Sequence, residues 1–307
     1  MRRCANDIFG YCNGEPEWTE QPIIQRLEVG GKVNKTPIEW VKNPDGTQGY
    51  TWNPITGCLN HVNGMCKGGG FPCYAYRLAN GRLRQRYLGN GNLTPLDVQI
   101  AEDPEGAKGR ASDPFWPRFW PERLLEVQNM PKNKGVFVCD MSDLFGIGIP
   151  EDWTRQILSE IECCDDCRFY LLTKQPQNLI KWSPFPPNCY IGVTATNSSM
   201  FADACNYLSD IEAGVKYISF EPLLGHIHIQ NCTQEDLGGI SWIIIGAQTK
   251  PTRLPELSAV QEIVEAADRA GIPVFLKDNL KPLIFSDPLW AEGLLNWAGE
   301  LRQEVGK

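Results

Sequence analysis

Trp242-Ile-Ile-Ile-Gly246 is an apolar run of strand length with β-branched residues at its centre. A strand built from it is apolar on both faces, and such strands belong to parallel sheets covered by helices. Six further runs repeat the pattern: Tyr50–Asn53, Val136–Asp140, Phe169–Thr173, Tyr190–Thr194, Tyr217–Glu221 and Val274–Lys277. Helical segments separate several of them. Trp153–Glu162 follows Pro150, a residue that often opens a helix. In Leu257–Ala270, Val260, Ile263, Val264 and Ala267 recur at helical spacing, and Gly271 ends the segment. This alternation predicts an α/β fold. With about seven such units, the expectation is a (β/α) barrel or partial TIM barrel over residues 50–307. Residues 1–49 are rich in Gly, Pro, Asn and Trp and read as an irregular N-terminal extension carrying Cys4 and Cys12.

The chain has 307 residues, 42% hydrophobic and 21% charged, an ordinary globular composition. No apolar run approaches the ~20 residues that cross a bilayer. The opening Met1-Arg-Arg-Cys-Ala-Asn-Asp7 lacks the apolar core of a secretory signal, so a cytoplasmic protein without a membrane partner is expected. Twelve cysteines are many for this length. Without an export signal they are expected to be reduced thiols, which points to metal or redox chemistry. The formal net charge of −8 argues against a general nucleic-acid binder. Yet no Asp or Glu occurs from Gly46 to Leu96, where Lys67, Arg77, Arg82, Arg84 and Arg86 lie. Such a cationic stretch suits an anionic substrate or nucleic acid, or is a solvated helix face.

The apolar runs end in groups that bind or react. These are Asp140, Ser142 and Asp143, then Thr173 and Lys174, then Thr194 and Thr196, then Glu221, Gln248, and Lys277 with Asp278. In barrels the C-terminal strand ends build the active site. A lone polar strand end means little, because caps and turns need one; six consecutive ends are a stronger signal.

Thr51-Trp-Asn-Pro-Ile-Thr-Gly-Cys58 leads into a loop that also carries Cys66 and Cys73, followed by Tyr74-Ala75-Tyr76. Gly57, Gly64, Gly68, Gly69 and Gly70 let its backbone fold tightly. Three thiolates suit an iron–sulfur cluster with one iron left open to a small molecule. Structural zinc competes, but it prefers four ligands in short paired spacings, with His61 the one extra donor in the loop.

The segment from Thr51 to Ala75 resembles the opening of a radical-SAM-related family of bacteriophage-type proteins of unknown function. The resemblance continues through Val136–Phe145, Leu171–Pro176, Ile191–Thr194, Ser219–Gly225, Ile243–Gly246 and Pro273–Lys277. It implies a TIM-barrel-like enzyme of radical-SAM type, with a 4Fe–4S cluster on Cys58, Cys66 and Cys73. S-adenosylmethionine would bind the open iron, and one electron from a donor such as ferredoxin or flavodoxin would release a 5′-deoxyadenosyl radical. That radical would abstract hydrogen from a substrate the sequence does not identify, nucleic acid or a nucleotide being one guess. By the same analogy Tyr74 covers the cluster. Asp140, Ser142, Asp143, Thr173, Lys174, Thr194 and Thr196 contact the cofactor, and Glu221, Gln248 and Lys277 face substrate. Two departures stand out. Lys67–Pro72 lengthens the spacing between the last two cysteines, and Gly246-Ala247-Gln248 replaces a Gly-Gly-Glu. The alternative is a zinc-stabilised nucleic-acid-binding or interaction protein without catalysis.

Other groups read more plainly. Cys163, Cys164 and Cys167, with Cys139, Cys189 or the N-terminal pair, are second-metal candidates or free thiols. His226 and His228 alternate as on an extended segment and suit a solvated face. Phe115-Trp-Pro-Arg-Phe-Trp120 reads as packing rather than base stacking.

Overall fold

The computed structural model describes residues 33–94, 109–229, 232–233, 236–237, 239–286, 293–296 and 298–306. Each of the seven apolar runs forms a strand. They are β1 (Tyr50–Trp52), β2 (Gly135–Val138), β3 (Arg168–Thr173), β4 (Cys189–Thr194), β5 (Val215–Phe220), β6 (Trp242–Ile245) and β7 (Val274–Leu276). Their order in the sheet is their order in the chain, and every neighbouring pair is parallel. Asn34–Lys35 adds an antiparallel edge against β1. Short helices α1 (Tyr74–Asn80), α2 (Arg84–Leu88) and α3 (Leu124–Gln128) lie between β1 and β2. The longer α4 (Glu151–Glu162), α5 (Ser198–Ser209) and α6 (Leu257–Ala270) each join successive parallel strands. Gly271 ends α6 at φ 68°, where only glycine sits without strain.

The two faces of the sheet bury different residues. On one side Val136, Val138, Phe169, Leu171, Ile191, Val193, Ile218 and Ile243 pack against Ile157 and Ile161 of α4, Phe201 of α5 and Ile263 of α6. On the other, Phe137, Tyr170, Tyr190, Tyr217, Trp242 and Phe275 gather around Trp40. A flat sheet would set β3 and β6 about 14 Å apart. The Tyr170 and Trp242 rings nonetheless meet at 6.0 Å. Trp40 touches rings from β2 to β6, at 5.0 Å from Phe137 and 6.0 Å from Trp242. The sheet is therefore strongly curled around an aromatic layer, in which each buried ring contributes roughly 2 kcal/mol. Gly192 is what admits Tyr217. A Cβ there would lie 2.2 Å from the ring, so no other residue fits.

Among the described residues no hydrogen-bonded pair joins β1 to β7, so the expected barrel appears as a curled, open, mostly parallel sheet. Residues 36–43, assigned from sequence to the extension, cross its concave side. The Glu39 carboxylate accepts from the Asp278 amide at 2.6 Å, and Asn43 Oδ1 accepts from the Gly135 amide at 2.9 Å. Tyr170 donates to the Lys42 carbonyl at 3.1 Å. Cys4 and Cys12 lie outside the described residues. Among those described, no helix is long and apolar enough to cross a membrane.

Candidate functional site

The cysteine loop joins β1 to α1. Its first turn is fixed by the Gly57 amide on the Met141 carbonyl at 2.9 Å and the Cys58 amide on the Phe115 carbonyl at 3.0 Å. Ser142 Oγ returns a bond to the Gly57 carbonyl at 2.5 Å, so this hydroxyl anchors the loop. A short hairpin, His61–Val62 with Met65–Cys66, carries Cys66 inward. The Cys73 amide donates to the Gly64 carbonyl at 2.8 Å, and Cys73 then caps α1, its sulfur accepting from the Tyr76 amide at 3.5 Å. Two glycines press the loop onto neighbouring strand ends. A Cβ on Gly68 would lie 2.8 Å from Lys174 Cβ, and one on Gly69 would lie 2.6 Å from Thr196 Oγ1.

All three thiols are buried or half-buried. Burial pushes the Cys58 thiol up to about 12, reinforced by the negative charge of Asp143 and by Cys66 and Cys73. Burial also raises Cys66, while the nearby Lys174 ammonium pulls it back down. Each sulfur thus lies within electrostatic reach of the others. Three thiolates on one tetrahedral ion at ~2.3 Å would have to sit within about 4 Å of one another. Among the described residues no three Cys, His, Asp or Glu side chains converge on a point that one metal ion fills. His61 is turned elsewhere. Its Nδ1 accepts from the Gly64 amide at 3.3 Å and its ring packs on Tyr76 and Phe115.

Beneath the loop, the inward positions change character toward the strand ends. Tyr190, Gly192 and Thr194 share one face of β4; Val215, Tyr217 and Ser219 share the corresponding face of β5. Thr194 and Ser219 stand directly opposite each other. Both are fully buried, and among the described residues neither hydroxyl has a hydrogen-bond partner. A buried hydroxyl without a partner costs about 1–3 kcal/mol, and such a cost is the mark of a group kept for something else. Sequence reading selected Thr194 and passed over Ser219. The signal was its parity with Tyr217 and Glu221.

Glu221, next inward on β5's extension, forms an ion pair with Lys277 across Gly246. A Cβ on Gly246 would meet Lys277 Cδ at 2.8 Å, so this glycine makes the pairing possible. Burial alone would push Lys277 down. The Glu221 carboxylate, by charge and hydrogen bond, with Glu39 beyond it, holds the ammonium above its ordinary value. Tyr74 donates to the Asp140 carbonyl. Asp140 accepts from Asn53, and burial raises its carboxyl.

Three residues expected to touch a cofactor are instead occupied with one another. Asp143 accepts from Thr173 Oγ1 at 2.7 Å and from the Lys174 amide at 3.1 Å, locking the end of β3 to the loop after β2. Thr196 Oγ1 contacts Met200 Sδ at 3.3 Å. Gln248, expected to face substrate, donates to the Pro251 carbonyl at 3.0 Å inside its own turn.

Residues 35–281 match the family described as "Protein of unknown function (DUF5131)". The chain belongs to that family. No curated protein and no solved structure matches it. The DUF5131 match spans the cysteine loop, all seven strands and Lys277, which together are the site just described.

Elsewhere in the DUF5131 chain, Cys163, Cys164 and Cys167 lie between α4 and the start of β3, at the end of the sheet away from the loop. Cys164 and Cys167 are buried against the Val127 and Pro131 carbonyls, at 3.8 and 3.7 Å. The ten described cysteines form no disulfide among themselves. His226 and His228 lie on no strand. His226 is held by Glu262 at 2.9 Å and Glu256 at 3.1 Å. Phe115, Phe119 and Trp120 are packed inside, as expected. Arg118 is fully buried too, its guanidinium donating to the Asp113, Trp116, Ala111 and Asn90 carbonyls.

Proposed function

We propose that this DUF5131 chain is a radical S-adenosylmethionine enzyme built on a partial barrel, with Cys58, Cys66 and Cys73 holding a 4Fe–4S cluster. One observation carries the reading. Three mutually interacting thiols sit on a single glycine-rich loop that closes over the C-terminal ends of a curled parallel sheet. The donor set fits the group, because it offers three thiols, no converging fourth ligand, and no point suited to one tetrahedral ion. That last feature weighs against the zinc alternative. When bound and reduced, such a cluster supplies the electron that splits S-adenosylmethionine into methionine and a 5′-deoxyadenosyl radical.

The protein's own groups prepare the site. Burial keeps Cys58 a neutral thiol, so loading must release its proton. Lys174 favours the thiolate of Cys66. The unpartnered hydroxyls of Thr194 and Ser219 offer hydrogen bonds to a ligand held under the loop. Lys277 stays charged at neutral pH, so with Glu221 it orients a polar substrate rather than acting as a base. The aromatic layer around Trp40 closes the floor against water. An external donor such as ferredoxin or flavodoxin delivers the electron, in the reducing cytoplasm.

The test is anaerobic purification, loading with iron and sulfide, reduction with dithionite, and assay for 5′-deoxyadenosine. About four irons per chain, and product that disappears in Cys66→Ala, support the proposal. Tightly held zinc and no iron–sulfur absorbance overturn it.

A further inference from the structure

The acid-free stretch from Gly46 to Leu96 folds into a cationic face beside the cysteine loop. On α1, Ala75 and Ala79 are buried one turn apart, which turns Arg77 outward. On α2, Tyr87 is buried and stacks near Trp120 at 5.9 Å, which turns Arg84 and Arg86 outward. Arg82 is exposed in the turn between the helices. None of these four arginines makes an ion pair with another described residue. Four unpaired guanidinium groups within ten positions form a local field opposite in sign to a chain of net charge −8. Tyr74 begins the same helix as Arg77 and leaves 43% of its surface exposed.

We propose that Arg77, Arg82, Arg84 and Arg86 form a docking surface for single-stranded nucleic acid. Arginine grips phosphate oxygens through paired hydrogen bonds, and a row of them matches a regularly charged strand. The exposed Tyr74 ring offers a platform on which a base stacks. A duplex fits less well. α1 spans seven residues and α2 five, too short to lie along a major groove. Binding itself is independent of the enzymatic reading. The corollary, that the strand presents a base to the site under the cysteine loop, rests on it.

The test uses the full chain without metal and a labelled DNA strand of about 20 nucleotides, longer than the ~4–16 nucleotides that one single-strand-binding fold covers. Four phosphate contacts give a salt slope near −3, so affinity should fall about 50-fold between roughly 50 and 200 mM salt. The variant R77Q/R82Q/R84Q/R86Q should lose affinity by a similar factor at low salt with unchanged helix content. Y74A should lose roughly tenfold. No binding at low salt, binding indifferent to the four arginines, tighter binding of a duplex, or binding of phosphatidylserine vesicles in place of DNA each overturns the proposal. Cys66→Ala separates the two readings. DNA binding without a loadable cluster sinks the enzyme alone, and a working cluster without DNA binding sinks this surface alone.

Discussion

The two ends of the curled sheet carry the same residue type to different ends. Where the strands begin, Cys164 and Cys167 are buried in apolar surroundings against backbone carbonyls, as small core side chains. Where the strands finish, Cys58, Cys66 and Cys73 sit on a loop that presses on Lys174 and Thr196. The hydroxyls of Thr194 and Ser219 go unpartnered nearby among the described residues. Compact spacing of thiols in the chain is therefore a poor guide to a site. The glycine loop and the orphaned polar groups around it are better ones.

The sharpest break between the two ends is chemical. Cys66→Ala should cut iron retention and 5′-deoxyadenosine formation by more than about 100-fold, beyond the 10–100-fold that loss of a supporting partner costs. Cys164→Ala should leave both unchanged and lower stability by about 1 kcal/mol, the cost of losing one buried heavy atom. Iron analysis and urea unfolding read the two outcomes. Equal loss of iron in both variants would erase the distinction.

A second prediction stays at the strand ends. Glu221→Gln orphans the Lys277 ammonium, which is only 13% exposed, and should cost roughly 2–3 kcal/mol. Adding Lys277→Met removes the orphaned charge and should restore part of that loss in urea unfolding. If Glu221→Gln alone is neutral, the pair is solvated and does not order the site. Below it, Gly192→Ala drives a Cβ into the Tyr217 ring and should cost roughly 2 kcal/mol. That change should leave iron binding intact, because the aromatic floor is packing.

The strands were legible because burial on both faces writes an unbroken apolar run, as in Trp242–Ile245. The cysteine loop was legible because glycines surround its thiols. The role of Trp40 was not, since it lies in a segment without periodicity and reaches the sheet only through contacts distant in sequence. Nor does sequence say which polar strand ends bind each other. Thr173 and Asp143 are 30 positions apart yet share a hydrogen bond. Ser219 was hidden for the opposite reason. Its neighbours are apolar, and only its alternation with Tyr217 and Glu221 marks the face it shares.

The smallest effect tests the comparison most directly. Burial raises Cys58 at the loop, and Cys189 in the core, from 9.0 to about 12. Between those values the unfolded chain gives up a proton that the folded thiol keeps, so rising pH favours unfolding. Each thiol's contribution is fully present below about pH 9 and is lost as pH climbs toward about 12. In metal-free protein, Cys58→Ala and Cys189→Ala should each soften the alkaline decline by less than about 1 kcal/mol at pH 9.5. Loading with iron and sulfide should remove only the share of Cys58, because a ligated sulfur is already deprotonated. The Cys189 share should persist, since nothing reaches that sulfur in the core. An alkaline decline that loading leaves whole would mean that Cys58 is no more a ligand than Cys189.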